Sequence, residues 1–156
     1  MFGKLDNPEI EELIRNEFIC HLACHADDKT YVVPVSYAYD GVYIYIHALE
    51  GMKIDMMRKN PKVCLVVDNT KNLSNWKSVV IWGDFEELSD GPERDYAVRK
   101  LQARALPILT SQTMHLTPQW PFPAEAKEIG GIVLRIRVTE KTGRFEKSAD
   151  EIYFAT

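Results

Sequence analysis

Residues 30–47, TYVVPVSYAYDGVYIYIH, constrain the fold more than any other stretch of the chain. Aliphatic and aromatic residues dominate both arms. Asp40-Gly41 stands between them, a pair that tolerates positive φ at both central positions and so predicts a two-residue hairpin. Along the second arm Val42, Ile44 and Ile46 share one face, and Tyr43, Tyr45 and His47 share the other. Pro34 in the first arm has no N–H to give to a ladder, which places that arm at a sheet edge or at a bulge.

Other segments supply strands for this hairpin to pair with. FICHLACH (18–25) alternates Phe18, Cys20, Leu22 and Cys24 against Ile19, His21, Ala23 and His25, and HADDK after it makes a polar turn. KVCLVVD (62–68) is a short apolar strand. SVVIWGDFEEL (78–88) is a longer one, interrupted by Gly83, where a bulge or bend is expected. IVLRIRVTEKTGRFEK (132–147) turns Ile132, Leu134, Ile136 and Val138 one way and Arg135 and Arg137 the other.

Three segments read as helix. The first has Asn7 as cap, Pro8 at the first helical position, Glu9, Glu11 and Glu12 near the positive end, and an apolar stripe of Ile10, Leu13 and Ile14. MKIDMMRKN (52–60) groups Ile54, Met57 and Arg58 on one face and stops at Asn60-Pro61. SDGPERDYAVRKLQARA (89–105) turns Ala97, Val98 and Leu101 inward. LPILTSQTMHLTPQWPFPAEAKEIGG (106–131), with four prolines, is expected as a long ordered loop or lid. The total is six strands with two or three helices at the connections, in one domain spanning 1–156. A bent antiparallel sheet of that size closes into a small barrel, so the fold class is mainly β.

A formal net charge of −4 argues against a surface that coats nucleic acid. No run approaches the ~18 apolar residues of a membrane span, and the acidic start MFGKLDNPEIEE is unlike a signal peptide. Three cysteines are too few and odd in number for a disulfide framework, so a reducing cytoplasm is expected. Cys20, His21, Cys24 and His25 invite a zinc reading. On a strand, however, residues four apart are ~13 Å from each other, and the cysteines and histidines face opposite ways. No metal is expected. Nucleophile elbows, Walker loops, dinucleotide glycine fingerprints and zinc-protease motifs are missing from the sequence, so chemistry here would rest on a cofactor.

The strand-to-helix corner HALEGMK suggests where. A helix starting near Gly51 exposes unpaired N–H groups and the positive end of its dipole, and Lys53 adds a full charge in the first turn. The alternative is a plain cap with a solvated lysine. The tyrosine row leading to His47 suits a flat aromatic ligand or a dimer interface. His47 itself suits a phosphate donor, a substrate-side group or a structural hydrogen bond.

Taken together, YVVPVSYAYDGVYIYIHALEGMKIDMMRKNPKVCLVVD, WKSVVIWGDFEEL and VLRIRVTEKTGR resemble the pyridoxamine 5'-phosphate oxidase-related flavoproteins, and within them the nitroimidazole-resistance (Nim-like) branch. The resemblance covers about Phe18 to Phe145. It implies a six-stranded antiparallel split β-barrel of FMN-binding type, a homodimer with two FMN molecules in clefts between subunits. By the same resemblance Pro34, Val35, Ser36 and Tyr37 would lie against the flavin ring, mostly through backbone. Ile46, His47, Ala48, Met52 and Lys53 would take the ribityl chain and phosphate. Lys77, Ser78 and Val79 would add contacts, and Trp120 would cover the cleft as a stacking lid or a hydrophobic plug. Relatives often carry arginine where Met52 stands, which calls for Lys77 or Arg58 to compensate.

The implied activity is that of an FMN-dependent oxidoreductase: a hydride from NAD(P)H passes to the flavin and electrons pass on to a small acceptor, with nitroaromatics as one candidate class. His47 is the catalytic candidate. The longer C-terminal substrate motif of full pyridoxamine phosphate oxidases does not follow Phe145. The alternatives are a non-catalytic flavin or haem carrier or sensor, with His21, His25 or His115 as axial ligand, and the deazaflavin F420 in the same cleft.

Overall fold

A computed structural model describes residues 1–104 and 130–148. Its elements run β1 (Phe2–Lys4), α1 (Asn7–Asn16), β2 (Ile19–Ala26), β3 (Lys29–Ser36), β4 (Ala38–Tyr39), β5 (Tyr43–Ala48), α2 (Met52–Lys59), β6 (Lys62–Asn72), β7 (Asn75–Leu88), α3 (Pro92–Gln102) and β8 (Ile132–Lys147). The strands form one antiparallel sheet in the order β3-β2-β6-β7-β8-β5-β4, with β1 against the far end of β8. The expected split-barrel fold is present, with eight strands among the described residues where the sequence predicted six. β1 was missed, and the arm 30–39 is two strands.

That arm breaks at Tyr37, which is buried and donates its hydroxyl to the Ile14 carbonyl of α1 at 2.6 Å. β3 therefore pairs with β2 (Val33↔Leu22, Val35↔Cys20), and only Ala38 and Tyr39 pair with β5. The long hairpin does not form. Of Asp40 and Gly41 only Gly41 has positive φ (97°). The Asp40 carboxylate instead takes the N–H groups of Val42 (2.9 Å) and Tyr43 (2.7 Å), and the hydroxyls of Tyr45 (2.7 Å) and Tyr96 (3.4 Å). The tight turn with positive φ at both central residues is Asp27-Asp28 (52° and 58°), between β2 and β3.

Pro34 sits on an edge strand, as its missing donor requires, and the register around it is continuous. The Tyr37 N–H donates to the Phe18 carbonyl, so by alternation residues 35, 33 and 31 face β2 while 32, 34 and 36 face the free edge. The proline costs the ladder nothing. At Gly83 the irregularity lies across the pair: Trp82 opposes Glu140 and Gly83 opposes Val138, leaving Thr139 of β8 as the extra residue. A Cβ on Gly83 would stand 2.5 Å from the Arg137 carbonyl oxygen.

The alternation along the strands sorts two cores. Cys20, Leu22, Ile44, Ile46, Leu65, Val79, Ile81, Leu134 and Ile136 fill the barrel, closed by Ile54, Met56 and Met57 of α2. The opposite face of β5 and β8 is covered by Ala97, Val98 and Leu101 of α3, as predicted for that helix. The tyrosine row departs from expectation. Tyr45 is fully buried under α3, and Tyr43 packs against the same cluster with the Arg135 guanidinium 4.2 Å from its ring centroid. The row is therefore spent within the chain and lines no path to the corner. Two helix readings also shift. The cap of α1 is Asp6, in a reciprocal box with Glu9 (2.9 and 3.0 Å), rather than Asn7. Arg58 of α2 does not face inward with Ile54 and Met57 but is exposed. The segment 106–131, apart from Gly130 and Gly131, lies outside the described residues, as do Trp120 and His115.

Candidate functional site

The corner between β5 and α2 is held by one close approach. Gly131, at φ +80°, brings the start of β8 so near β5 that an added Cβ would meet the Ala48 carbonyl oxygen at 2.9 Å and His47 Nε2 at 3.0 Å. Beside it His47 Nε2 bonds the Gly130 carbonyl at 2.7 Å, and since a carbonyl only accepts, Nε2 carries the proton. The Gly-Gly pair before a strand was the sequence signal for this closure, and sequence reasoning did not use it.

α2 begins at Gly51, which offers no side chain to cap the first-turn amides. The space a Cβ would take there is open, with the Leu49 carbonyl at 4.0 Å as nearest neighbour. An open groove of about 490 Å³ runs from Gly51, Met52 and Asp55 to Ala26, Asp27 and Lys29 on the β2–β3 turn. Lys53 is half-buried and makes no ion pair with a described residue, while nearby Lys59 is paired to Asp27 at 2.6 Å. Among the described residues, first-turn amides without a cap, an open approach at Gly51 and a lysine without an ion pair in the same turn suit an anion such as a phosphate.

Arg58 is committed elsewhere. It donates to both carboxylate oxygens of Glu50 and to Glu87, and these bonds hold the Glu50 carboxyl below its ordinary range. Lys77 is remote as well. It lies six residues along β7 from Gly83, whose row (Gly83–Val63–Cys24) runs beneath α2, a distance of ~20 Å at roughly 3.3 Å per residue. It borders a separate groove of about 450 Å³ with Trp76 and Phe145. Within one chain neither cation stands beside Met52 as the resemblance required.

The remaining predicted residues belong to the sheet. Pro34 and Ser36 are exposed at the free edge of β3. Val35 turns inward against the barrel core, and Val79 is buried in it. Ser78 lies on the outer face of β7. Tyr37 is enclosed, its ring under the Arg104 guanidinium (4.6 Å) and its carbonyl accepting from the same group. Burial pushes its hydroxyl well above the ordinary tyrosine range. Ile46 is also fully buried and Ala48 nearly so, leaving His47, Met52 and Lys53 as the accessible ones among the predicted corner residues.

The outer face of β3-β2-β6-β7 carries an apolar band left exposed among the described residues. Ile19 (57%), Val32 (56%) and Trp82 (38%) are exposed, with Ala23, Cys64, Val66 and Val80 half-buried among them. The register sets Val32, Ala23, Cys64 and Trp82 in one transverse row and Pro34, His21, Val66 and Val80 in the next. Sequence reasoning missed this face because each strand contributes only one or two apolar residues to it. His21 and His25 are exposed on β2, and no cluster of three or more metal-ligating side chains occurs among the described residues. Among the same residues no helix is long and apolar enough to cross a membrane.

Comparison with known proteins adds three findings. The family model described as "Pyridoxamine 5'-phosphate oxidase" matches residues 6–145. An uncharacterised protein of Rhizobium meliloti (strain 1021) is 38% identical over 84 residues, a match spanning 54% of this chain and only 56% of that protein. Among solved structures, an FAD-binding protein of Mesorhizobium loti is 30% identical with a TM-score of 0.72, covering 94% of this chain and 99% of the other. A putative 5-nitroimidazole antibiotic resistance protein of Bacteroides thetaiotaomicron shares the fold, at 21% identity, a TM-score of 0.69 and coverage of 93% and 87%.

Proposed function

The chain belongs to the pyridoxamine 5'-phosphate oxidase family, and on that premise we propose that it is an FMN-dependent oxidoreductase acting as a homodimer on a small, nitroaromatic-type acceptor with electrons from NAD(P)H. The observation that carries this reading is the corner at Gly51: uncapped amides, an open approach, and Lys53 without an ion pair among the described residues. The FAD-binding relative supports a flavin as the ligand. When bound, a flavin would supply the hydride- and electron-transfer chemistry.

The chain's own residues bind and orient it. Lys53 and the amides of Met52 and Lys53 hold the phosphate. His47, tethered to Gly130, fixes the end of β5 beside them. The free edge of β3, with the backbone groups of Val32 and Ser36 and the Pro34 carbonyl, would hold the polar rim of the ring. The outer face of β3-β2-β6-β7 supports the homodimer, since an apolar sheet face of this extent is covered in a stable assembly. A partner docked there would bring its own Ser78 and Lys77 toward the cleft.

The test is the visible spectrum of the purified protein with mass spectrometry of any released small molecule, followed by an NAD(P)H-oxidation screen with nitroaromatic acceptors. The expected result is a flavin spectrum, FMN on release, and acceptor-dependent oxidation. A haem Soret band, or colourless protein that takes up neither FMN nor FAD, overturns the reading. Release of FAD or F420 corrects the cofactor.

A further inference from the structure

Arg58 lies two turns into α2, yet its guanidinium sits at the helix start, because helical side chains lean toward the N-terminus. There it meets three carboxylates. Nη1 and Nη2 donate to the two oxygens of Glu50 at 2.9 and 2.8 Å. Nε and Nη2 donate to Glu87 at 3.0 and 2.6 Å, and Asp55 is 3.9 Å away. Glu50 directly precedes Gly51, and Asp55 stands in the first turn. Glu50, Asp55 and Glu87 thus cluster about one guanidinium beside the proposed phosphate seat. Arg58 makes no contact that would let it reach an anion while it spans Glu50 and Glu87. Its service to the seat is indirect.

We propose that Arg58 is a positioning residue for the phosphate seat: by pinning and neutralising Glu50 and Glu87 it keeps their charge off an anion bound at the start of α2. The inference rests on the flavin reading and deepens it. It makes the seat selective for a phosphate-bearing ligand through a residue that does not touch the phosphate.

The experiment compares FMN with riboflavin, which has the same ring and no phosphate, by fluorescence titration of the full chain. Arg58→Ala is expected to weaken FMN about tenfold and riboflavin less than twofold, and Arg58→Lys is expected to fall between. Glu50→Gln in the Arg58→Ala background is expected to recover most of the lost FMN affinity. Glu50→Gln alone, which leaves the fold's other contacts in place, is expected to tighten FMN two- to fivefold without affecting riboflavin. Equal losses for both ligands in Arg58→Ala mean a structural role and overturn the proposal, as does an Arg58→Ala protein that binds FMN normally. Weakening of FMN by Glu50→Gln alone overturns it too, which keeps it refutable if Arg58→Ala fails to fold. Wild-type protein that binds neither ligand defeats the flavin reading itself, an outcome distinguishable from all of these.

Discussion

Gly131→Ala tests the closure that builds the corner. A Cβ there starts from φ +80°, a conformation that costs an L side chain roughly 1–2 kcal/mol. It would also stand 2.9 Å from the Ala48 carbonyl oxygen, 3.0 Å from His47 Nε2 and 3.3 Å from Leu49 Cδ2, and the first of these is backbone held in the β5–β8 ladder. Relieving that overlap costs about 1–3 kcal/mol. Moving β8 away also lengthens the 2.7 Å His47–Gly130 bond, whose net worth is about 0.5–1.5 kcal/mol. A destabilisation of about 2–6 kcal/mol is expected, or a Tm lower by roughly 4–24 °C for a chain of this size. Urea titration by circular dichroism measures it, with the midpoint falling and the slope unchanged. Gly130→Ala is the internal control, because its Cβ would meet nothing within 4 Å and its φ lies outside the left-handed range that strains a side chain. If the two variants agree within about 0.5 kcal/mol, a surface-level difference, the close approach does not constrain the corner and the reasoning fails.

Three further outcomes are expected. Lys53→Ala should weaken FMN about tenfold or more, from loss of a charged hydrogen bond worth about 1.5–3 kcal/mol, with riboflavin unaffected; unchanged FMN affinity in a titration refutes the seat. Ile19→Asp on the outer sheet face should shift sedimentation to monomer and release the flavin together, and a monomer that keeps its flavin separates the cofactor from the interface. Burial alone would raise the Asp40 carboxyl, but the Tyr43 N–H, the Tyr45 hydroxyl, the Val42 N–H and the Tyr96 hydroxyl together hold it below its ordinary value of 3.8. Its stabilisation is therefore present above that value and is lost as pH falls through the lower folded value. Asp40→Asn should flatten this acid limb in unfolding measurements across pH, and an unaltered limb rules out Asp40 as its source.

What was legible in the sequence follows from range. The period of two along β2, β5 and β8 depends on nothing but the strand, and it sorted Cys20 from His21, Ile44 from Tyr45 and Leu134 from Arg135 onto the faces they occupy. Pro34 marked an edge because its missing donor is a local property. The long hairpin failed because Tyr37 answers to Ile14 and Arg104, distant groups that stop β3 and hand it to β2. Arg58 failed in the same way: a helical wheel gives its direction, but Glu87, 29 residues on, decides its contacts. The Asp6–Glu9 box was readable from spacing alone and was passed over in favour of Asn7.

The burial of Tyr43 and Tyr45 changes where a flavin ring can be received. β5 is a shared wall, with Ile44 and Ile46 filling the barrel on one side and Tyr45 filling the α3 interface on the other. A strand used on both faces can offer a ligand only its end, which is where His47 lies. The aromatic and apolar surface for a ring must then come from the other side of the sheet, the free edge of β3 and the face carrying Ile19, Val66, Val80 and Trp82. Among the described residues that face lies open, and the proposed phosphate seat stands at the rim of the same chain's barrel. A ligand anchored at Lys53 whose ring needs the uncovered face is bound in full only when a second sheet covers it. Flavin affinity should therefore depend on protein concentration in the range where the dimer dissociates, and affinity independent of concentration across that range would put the ring inside a single chain.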